Sequence, residues 1–305
     1  MADDLLPITG TFLDEITWDI PSQNWGPADW RADFDAMHSI GIDTLVIIRG
    51  GLRRQTLFPS RVLGTNPPED LAQFFLDEAA RRGMQLYFGN YDSGTWAERD
   101  AWREEIDLNR HFMREIFERY AGMPAFAGWY LTHETSHERF HFREIYQALS
   151  EQAKSFTPAK PVLISPFFPS RKIYGSEMLS PEEFADNWLN MLNGITTIDI
   201  AAFQDGTAPL EELNGYLAKA GEVMKELGIK LWNNVETFSR EMPLKFPPLD
   251  FRELHAKLLA SKRYAAKNIT FEFSHFMSPN SCYVSARNLF RRYTECILSF
   301  DSQGS

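Results

Sequence analysis

Short apolar runs alternate eight times with longer amphipathic segments along the chain. The apolar runs are rich in β-branched and aromatic residues, a composition that predicts strands of a sheet covered on both faces. Proline or acidic residues begin most of the amphipathic segments and glycine follows several, which is the punctuation of helices. The predicted strands span residues 8–15, 44–50, 85–92, 125–134, 161–168, 198–205, 229–236 and 269–275, and the helices between and after them include 97–120, 137–156 and 283–300.

Eight strand-then-helix units favour a closed barrel over an open sheet. Right-handed crossovers with both faces covered leave no unpaired strand edge only when the sheet closes on itself. The first strand is not followed by a glycine-rich dinucleotide fingerprint, and the chain has no Walker-type loop, which argues against the commonest open-sheet functions. The sequence therefore predicts one α/β domain over residues 1–305, folded as a single (β/α)8 TIM barrel.

Charge and composition narrow the range of partners. The formal net charge of −11 argues against nucleic acid or an anionic membrane as partner, because phosphate binding needs a basic surface. The apolar runs are all shorter than the roughly 18 residues of a membrane span. The N-terminus lacks a signal peptide, so we expect a cytoplasmic protein, although an exported chain that had lost its leader would look the same. The two cysteines fit a reducing compartment, and we expect neither a cofactor nor a metal.

Polar residues collect at the predicted C-terminal ends of the strands, where active TIM barrels place their chemistry. Two of these ends carry a glutamate after an aromatic run: Gly-Trp-Tyr-Leu-Thr-His-Glu at 128–134 and Leu-Trp-Asn-Asn-Val-Glu at 231–236. Side chains alternate between the two faces of a strand, so Thr132 and Glu134 share one face, as do Asn234 and Glu236. If these faces point inward, the two glutamates lie across the barrel mouth from each other.

Two carboxyl groups on either side of a bond are what glycoside hydrolysis needs, one to protonate the leaving oxygen and one to attack or to activate water. From the residues alone, either glutamate could take either role. Tryptophans 18, 25, 96 and 232 fall at strand ends or in loops, where their rings could stack on a sugar. We expect substrate contacts from Glu15, Arg49, Asn90, Asp92, Trp96, His133, Gln204, Asp205, Trp232, Asn234 and His275.

Three polar residues at or near the strand ends have other interpretations. Asp205 could bind a substrate hydroxyl, tune a catalytic carboxyl group or cap an Asp-Gly turn. His133 could touch the substrate, orient Glu134 or pack on the outer face of its strand. Glu272 lies between two phenylalanines, and a carboxylate at such a depth needs a partner, for which we expect Arg49.

The chain resembles the large clan of retaining glycoside hydrolases with (β/α)8 barrels, in which glutamates end strands 4 and 7. The segment at 128–134, Ala-Phe-Gln-Asp-Gly at 202–206 and Asn-Val-Glu-Thr-Phe at 234–238 are similar to a poorly characterised bacterial family of glycoside-hydrolase-like barrels. The resemblance implies a carbohydrate substrate, retention of stereochemistry, Glu134 as general acid/base and Glu236 as nucleophile. One position departs from the clan, since His133 stands where many members have an asparagine that binds the sugar 2-hydroxyl.

Two alternatives of other classes remain open from the sequence. The first is a metal-dependent sugar isomerase or epimerase, in which Glu134, Asp205, Glu236 and Glu272 would form an oxygen-rich cage for Mn or Mg. The second is a barrel that binds carbohydrate without cleaving it, in which case the two glutamates would be too far apart to cooperate.

Overall fold

Eight parallel strands close into a ring in the computed structural model, which describes residues 5–17, 20, 22–240 and 246–298. The ring confirms the predicted TIM barrel. The ring strands are β1 (Ile8–Leu13), β2 (Thr44–Ile47), β5 (Gln85–Gly89), β7 (Phe126–Leu131), β8 (Val162–Ile164), β9 (Ile200–Gln204), β10 (Lys230–Asn234) and β11 (Asn268–Thr270). Each pairs in parallel with its neighbours, and β11 pairs with β1 to close the barrel.

Helices cover the outside of the ring between successive strands. They are α1 (Pro27–Ser39), α2 (Leu71–Arg81), α3 (Trp102–Tyr120), α4 (Phe142–Phe156), α5 (Arg171–Tyr174), α6 (Pro181–Leu192), α7 (Leu210–Leu227), α8 (Phe251–Ser261), α9 (Phe273–Phe276) and α10 (Val284–Tyr293), with a 3-10 turn at Gly175–Glu177 and a π-helical turn at Thr294–Leu298. Several begin where the sequence signals predict. The Ser180 hydroxyl, for example, accepts a hydrogen bond from the Glu183 backbone amide, and the Glu183 carboxylate accepts one from the Ser180 backbone amide. Throughout the described segments, no helix has both the length and the apolar character needed to cross a bilayer.

The alternation of side chains along the strands divides the apolar residues into two cores. The larger core lies between the ring and the helices and includes Trp129 and Leu131. The smaller core fills the barrel itself and consists of Phe12, Val46, Ile48, Tyr87, Tyr130, Leu163, Ile200, Ala202, Trp232 and Ile269. Tyr130 therefore points into the barrel, and Trp129 and Leu131 point towards the helices. Glu134 follows Tyr130 by an even number of residues, so the same alternation directs it inward.

The strands end earlier than the sequence predicts. Beyond β7, for example, the Thr132 backbone amide donates to the Asn90 side chain instead of to a neighbouring strand. The strand predicted to end at residue 134 ends at Leu131, and the one predicted to end at residue 236 ends at Asn234. Two helices begin five residues later than predicted, at Trp102 and Phe142. The last predicted helix breaks into α10 and the π-helical turn, and its residues 299–300 lie outside the described residues.

A small second sheet above the ring was not predicted. It consists of β3 (Gly51–Leu52), β4 (Gln55–Thr56) and β6 (Tyr91–Asp92), in the order β4-β3-β6. Strands of two residues are too short for alternation to be read from the sequence. The β3–β4 hairpin follows β2 directly and forms part of the barrel mouth.

Candidate active site

A cavity of about 460 Å³ opens at the C-terminal end of the barrel and contains both glutamates. Its size is within the range of small-molecule sites. Of the residues that the sequence singled out, the cavity is lined by Arg49, Asp92, Glu134, Gln204, Asn234 and Glu236. Phe12, Ile48 and Phe271 add apolar surface that the sequence analysis did not assign to a site.

Glu134 lies in the loop after β7, held from below by the inward-pointing Tyr130. The Tyr130 hydroxyl donates a hydrogen bond of 3.2 Å to Glu134 Oε1. Burial raises the pKa of the Glu134 carboxyl group above its ordinary value; the charge of Arg49 and hydrogen bonds from Gln204 and Tyr130 oppose the rise, and the charge of Glu236 adds to it. A raised pKa is what a carboxyl group needs to donate a proton near neutral pH.

Glu236 lies in the loop after β10 and is almost completely buried. Its carboxylate receives two hydrogen bonds from Arg240, at 2.9 Å between Nη2 and Oε1 and at 3.3 Å between Nε and Oε2. The guanidinium lies 5.0 Å from the ring centre of Phe238 and 5.5 Å from that of Phe246. An arginine that contacts both oxygens fixes the plane of a carboxylate. The two glutamates therefore have different hydrogen-bond partners, a neutral tyrosine hydroxyl for Glu134 and a guanidinium for Glu236.

A buried network fixes the backbone of Glu236. Asp205 Oδ1 accepts a hydrogen bond of 3.0 Å from the Glu236 backbone amide. Lys257 Nζ lies 3.0 Å from Asp205 Oδ1 and donates to the Glu236 carbonyl oxygen at 3.0 Å. Asn233 donates to the other Asp205 oxygen at 3.2 Å. Burial raises the pKa of Asp205, and the charge of Lys257 opposes the rise.

Asp205 is thus a support beneath Glu236 and does not line the cavity, so the expectation that it binds substrate is corrected in favour of the tuning role. The next residue, Gly206, leaves the space that the glutamate side chain occupies. A β-carbon at Gly206 would lie 1.8 Å from Glu236 Oε2. Any other residue there would displace the carboxylate.

Arg49 lies between acidic groups at the cavity wall. Its Nε is 3.7 Å from Asp92 Oδ2, and its Nη1 donates to Thr17 Oγ1 at 3.2 Å. The charges of Glu134 and Asp92 raise the pKa of its guanidinium, against the effect of burial. Arg49 therefore belongs to the surroundings of Glu134.

The predicted ion pair between Arg49 and Glu272 is wrong. Glu272 begins α9 instead, and its carboxylate accepts hydrogen bonds from the backbone amides of Ser274 and His275, each at 2.8 Å. It also contacts His275 Nδ1 at 2.5 Å. Phe271, which lines the cavity, precedes Glu272 in the chain, and this turn directs the carboxylate towards the helix. His275 is buried with Glu272 away from the cavity, which corrects its expected contact with substrate.

His133 and Trp96 also lie away from the cavity. His133 is one position out of phase with the inward-pointing Tyr130 and Glu134, so it points outward and its Nε2 contacts Glu105 at 3.0 Å. The Trp96 ring packs edge-on against His133, with ring centres 5.6 Å apart. Their expected substrate contacts are therefore corrected to packing between the barrel and α3.

Asn90, Trp232 and Glu15 likewise have other roles. Asn90 accepts from the Thr132 backbone amide at 2.7 Å and donates to Asn109 at 2.7 Å, so both ends of its amide are used. Trp232 points into the barrel but lies near its N-terminal end, where Lys267 is 5.6 Å from the ring. Glu15 lines a different cavity. Trp18 lies outside the described residues.

The proposed metal cage does not form as the alternative requires. Asp205 pairs with Lys257, Glu236 with Arg240 and Glu272 with His275. In the described part of the chain, one group of three acidic or histidine side chains could share an ion: Asp92, Glu105 and His133, whose ligand atoms lie within 4.8 Å of one another. This group offers carboxylate and imidazole ligands, a set compatible with a divalent transition metal.

Comparison with known proteins places the chain in a family. The model of a family described as a domain of unknown function, DUF4434, matches residues 8–283. The chain belongs to this family. A comparison with curated proteins finds no match.

Solved structures resemble this DUF4434 protein along most of its length. A proposed alpha-L-fucosidase from Bacteroides thetaiotaomicron VPI-5482 is 38% identical, with a TM-score of 0.94, over 97% of this chain and 94% of that one. An intracellular xylanase from Thermoanaerobacterium saccharolyticum JW/SL-YS485 is 13% identical, with a TM-score of 0.55, over 88% and 86% of the two chains. An endo-1,4-beta-D-mannanase from Thermotoga petrophila RKU-1 is 14% identical, with a TM-score of 0.57, over 88% of both. The protein is thus a glycoside-hydrolase-like barrel, and the last two likenesses concern the fold alone.

Proposed function

We propose that this DUF4434 protein is a glycoside hydrolase in which Glu134 is the general acid/base and Glu236 is the nucleophile. The observation that carries the proposal is that two glutamates, from the loops after β7 and β10, line one cavity and have different partners, a tyrosine hydroxyl for Glu134 and a guanidinium for Glu236. Burial raises the pKa of Glu134, which favours a proton donor. Arg240 contacts both oxygens of Glu236, which holds the carboxylate in a fixed plane, as a nucleophile requires.

The proposed reaction has two steps. Glu236 attacks the anomeric carbon while Glu134 donates its proton to the leaving oxygen, which gives a glycosyl ester on Glu236 and a free alcohol. Glu134, now ionised, removes a proton from water, and the resulting hydroxyl attacks the anomeric carbon and releases Glu236. Tyr130 orients Glu134 in both steps through its hydrogen bond. The sugar product keeps the configuration of the substrate.

The comparisons rank the substrates to be tested. The 38% identical relative is described as a proposed alpha-L-fucosidase, so α-L-fucosides are the first candidates. Glycosides of xylose and mannose follow, because the more distant barrels share only the fold.

The decisive experiment is a panel of 4-nitrophenyl glycosides of L-fucose, D-xylose, D-mannose and D-galactose in both anomers. Wild type should release nitrophenol from at least one, and Glu236→Gln should lose at least about 1,000-fold in kcat, since the nucleophile acts only in the reaction. Glu134→Ala should regain activity with azide, an anionic nucleophile that attacks the glycosyl ester on Glu236 without the help of a base and gives a glycosyl azide. Glu151→Gln, an exposed glutamate on α4, is the matched control and should behave as wild type.

The anomer that forms first distinguishes a retaining hydrolase from an inverting one, and the absence of cleavage distinguishes both from a binding protein. Proton NMR of the first turnover should show the substrate's own anomer as the first product. The opposite anomer would replace the nucleophilic role of Glu236 with that of a base. A wild-type protein that binds the sugars and cleaves none of them would favour a carbohydrate-binding barrel. The hydrogen bonds from Arg240 to both oxygens of Glu236 are also compatible with that function.

A further inference from the structure

A second, larger cavity of about 880 Å³ lies beside the active cavity. The β3–β4 hairpin separates the two. Leu52 and Arg53 line the active cavity on one side of the hairpin, and Arg54 and Gln55 line the second cavity on the other. The walls meet again after β1, where Ile16 faces the second cavity and Thr17 faces the active one. Two separate chain segments therefore contribute to both cavities, which places the cavities next to each other on either side of the hairpin.

The second cavity offers an aromatic ring held in a fixed orientation. Trp25 lines it and is half-buried. The ring of Trp30 packs edge-on against Trp25, with ring centres 5.1 Å apart and planes at 85°. Trp30 is itself fully buried and packs on Phe75 at 4.7 Å. A tryptophan fixed in this way presents a large apolar surface at little cost in side-chain entropy, which suits stacking on the C–H face of a sugar.

Polar side chains with unused hydrogen-bonding capacity surround this ring. Gln55 and Asn66 line the cavity, are exposed, and make no side-chain hydrogen bond within the described ranges. An amide both donates and accepts, which matches the hydroxyl groups of a sugar. The charged lining residues are Glu15, Glu69 and Arg54, a mixture without the cationic excess that an anionic ligand would require.

We propose that the second cavity binds the part of a neutral oligosaccharide that continues past the active cavity, with Trp25 as its stacking platform. The proposal rests on the proposed function in so far as the active cavity holds the sugar that is cleaved. It assigns the protein a substrate of three or more sugar units that crosses the β3–β4 hairpin. A monosaccharide glycoside would occupy the active cavity alone.

Binding tests the proposal without requiring turnover. The full-length Glu236→Gln protein is applied to an array of neutral mono- to tetrasaccharides, and the Kd of the best tri- or tetrasaccharide is measured by calorimetry. Trp25→Ala and Asn66→Ala, each added to Glu236→Gln, should weaken that Kd about tenfold, the worth of one aromatic or hydrogen-bonding contact. Trp102→Ala is the matched control: this half-buried tryptophan stacks on His141 at 4.6 Å and lines another part of the surface. It should leave the Kd unchanged.

Three results would overturn the proposal: binding of monosaccharides only, no binding of any oligosaccharide, or an oligosaccharide Kd that neither Trp25→Ala nor Asn66→Ala alters. Because Asn66 is exposed and makes no side-chain hydrogen bond within the described ranges, its variant remains informative if Trp25→Ala fails to fold. Failure of the proposed function has a separate signature, namely oligosaccharide binding that depends on Trp25 in a protein that cleaves no aryl glycoside. Hydrolysis of aryl glycosides without oligosaccharide binding would contradict a sugar site in the second cavity and would support the proposed activity of the first.

Discussion

Glu236 and Gly206 are in such close contact that a β-carbon on the glycine would overlap the glutamate carboxylate, at 1.8 Å from Oε2. The two residues lie in neighbouring loops, after β9 and β10, and Asp205 ties the same two loops together. The position of the proposed nucleophile thus also depends on a residue with no side chain.

Gly206→Ala should inactivate the enzyme and leave the barrel folded. The methyl group must push Glu236 aside, and a displacement of about 1 Å at a reacting group can cost roughly 100-fold in rate. We expect at least that loss in kcat/KM, with a circular dichroism spectrum like that of wild type. Gly221→Ala is the control, because its β-carbon would meet neighbours at an ordinary 3.9 Å inside α7 and should leave the rate unchanged. Full activity in Gly206→Ala would show that the position of Glu236 is unimportant.

Replacing Arg240 should slow the reaction. The guanidinium is partly exposed but its partner Glu236 is buried, so the variant should also lose some stability, because the buried carboxylate is left without its ion pair. The rate falls because the two hydrogen bonds that fix the carboxylate plane of Glu236 are lost. We expect Arg240→Met to lose about 10- to 100-fold in kcat and Arg240→Lys, which keeps the charge without the paired geometry, to lose less. A faster Arg240→Met enzyme would mean that the arginine blocks the nucleophile.

Tyr130→Phe should move the basic limb of the pH–rate profile to higher pH. Glu134 must be protonated to act as the acid, so activity falls as the pH rises through its raised pKa. The Tyr130 hydrogen bond stabilises the carboxylate and lowers that pKa, and its removal raises the pKa further. The profile of kcat/KM against pH measures the shift. Tyr216→Phe removes a hydroxyl on α7 that donates to the Leu179 carbonyl and should leave the limb in place. A shift to lower pH would contradict the assigned role of Glu134.

Lys257→Met should destabilise the fold strongly. Lys257 and Asp205 are both fully buried, and removal of one partner leaves the other charge without compensation. Such losses cost about 3–5 kcal/mol in the free energy of unfolding, which urea titration can measure. Lys154→Met breaks a partly exposed pair of the same type, with Asp199 at 2.8 Å, and should cost less, about 1 kcal/mol. Equal losses of unfolding free energy in the two variants would contradict the claim that the Lys257–Asp205 pair supports the fold more than the Lys154–Asp199 pair does.

Lys257→Met also has a pH signature. Burial already raises the pKa of Asp205, and loss of the lysine charge raises it further. A carboxyl group whose pKa is higher in the folded state stabilises that state at low pH. This stabilisation is lost as the pH rises through the folded-state pKa. The destabilisation of the variant should therefore be smaller at acidic pH than at neutral pH, which the same titration at two pH values checks.

Much of the architecture followed from local patterns. Strands and helices alternate eight times in the sequence. A closed ring is the arrangement of eight such strands that leaves no strand edge unpaired. The alternation of side chains in 128–134 also fixed which residues point inward, so Tyr130 and Glu134 lie where the pattern places them. Glu134 and Glu236 share a rim because the C-terminal ends of parallel strands do so.

Local patterns could not predict how far along the barrel axis a side chain lies, or which side chains contact each other. Trp232 has the inward phase that alternation predicts, yet its level in the barrel depends on how the strands are staggered around the ring, and that places it near the wrong end for a sugar. Arg240 follows Glu236 by four residues in a loop, where no periodicity indicates that the two side chains meet.

The sequence by itself determined the fold class, the inward phase of the strands and the rim on which two glutamates stand, because each depends on neighbours in the chain and on the rules of strand pairing. Tertiary structure decided which of the polar residues face the cavity, that Arg240 and the Asp205–Lys257 pair hold Glu236, and that a hairpin divides two cavities. Those features depend on contacts between residues far apart in sequence, whose distances are fixed only when the ring closes.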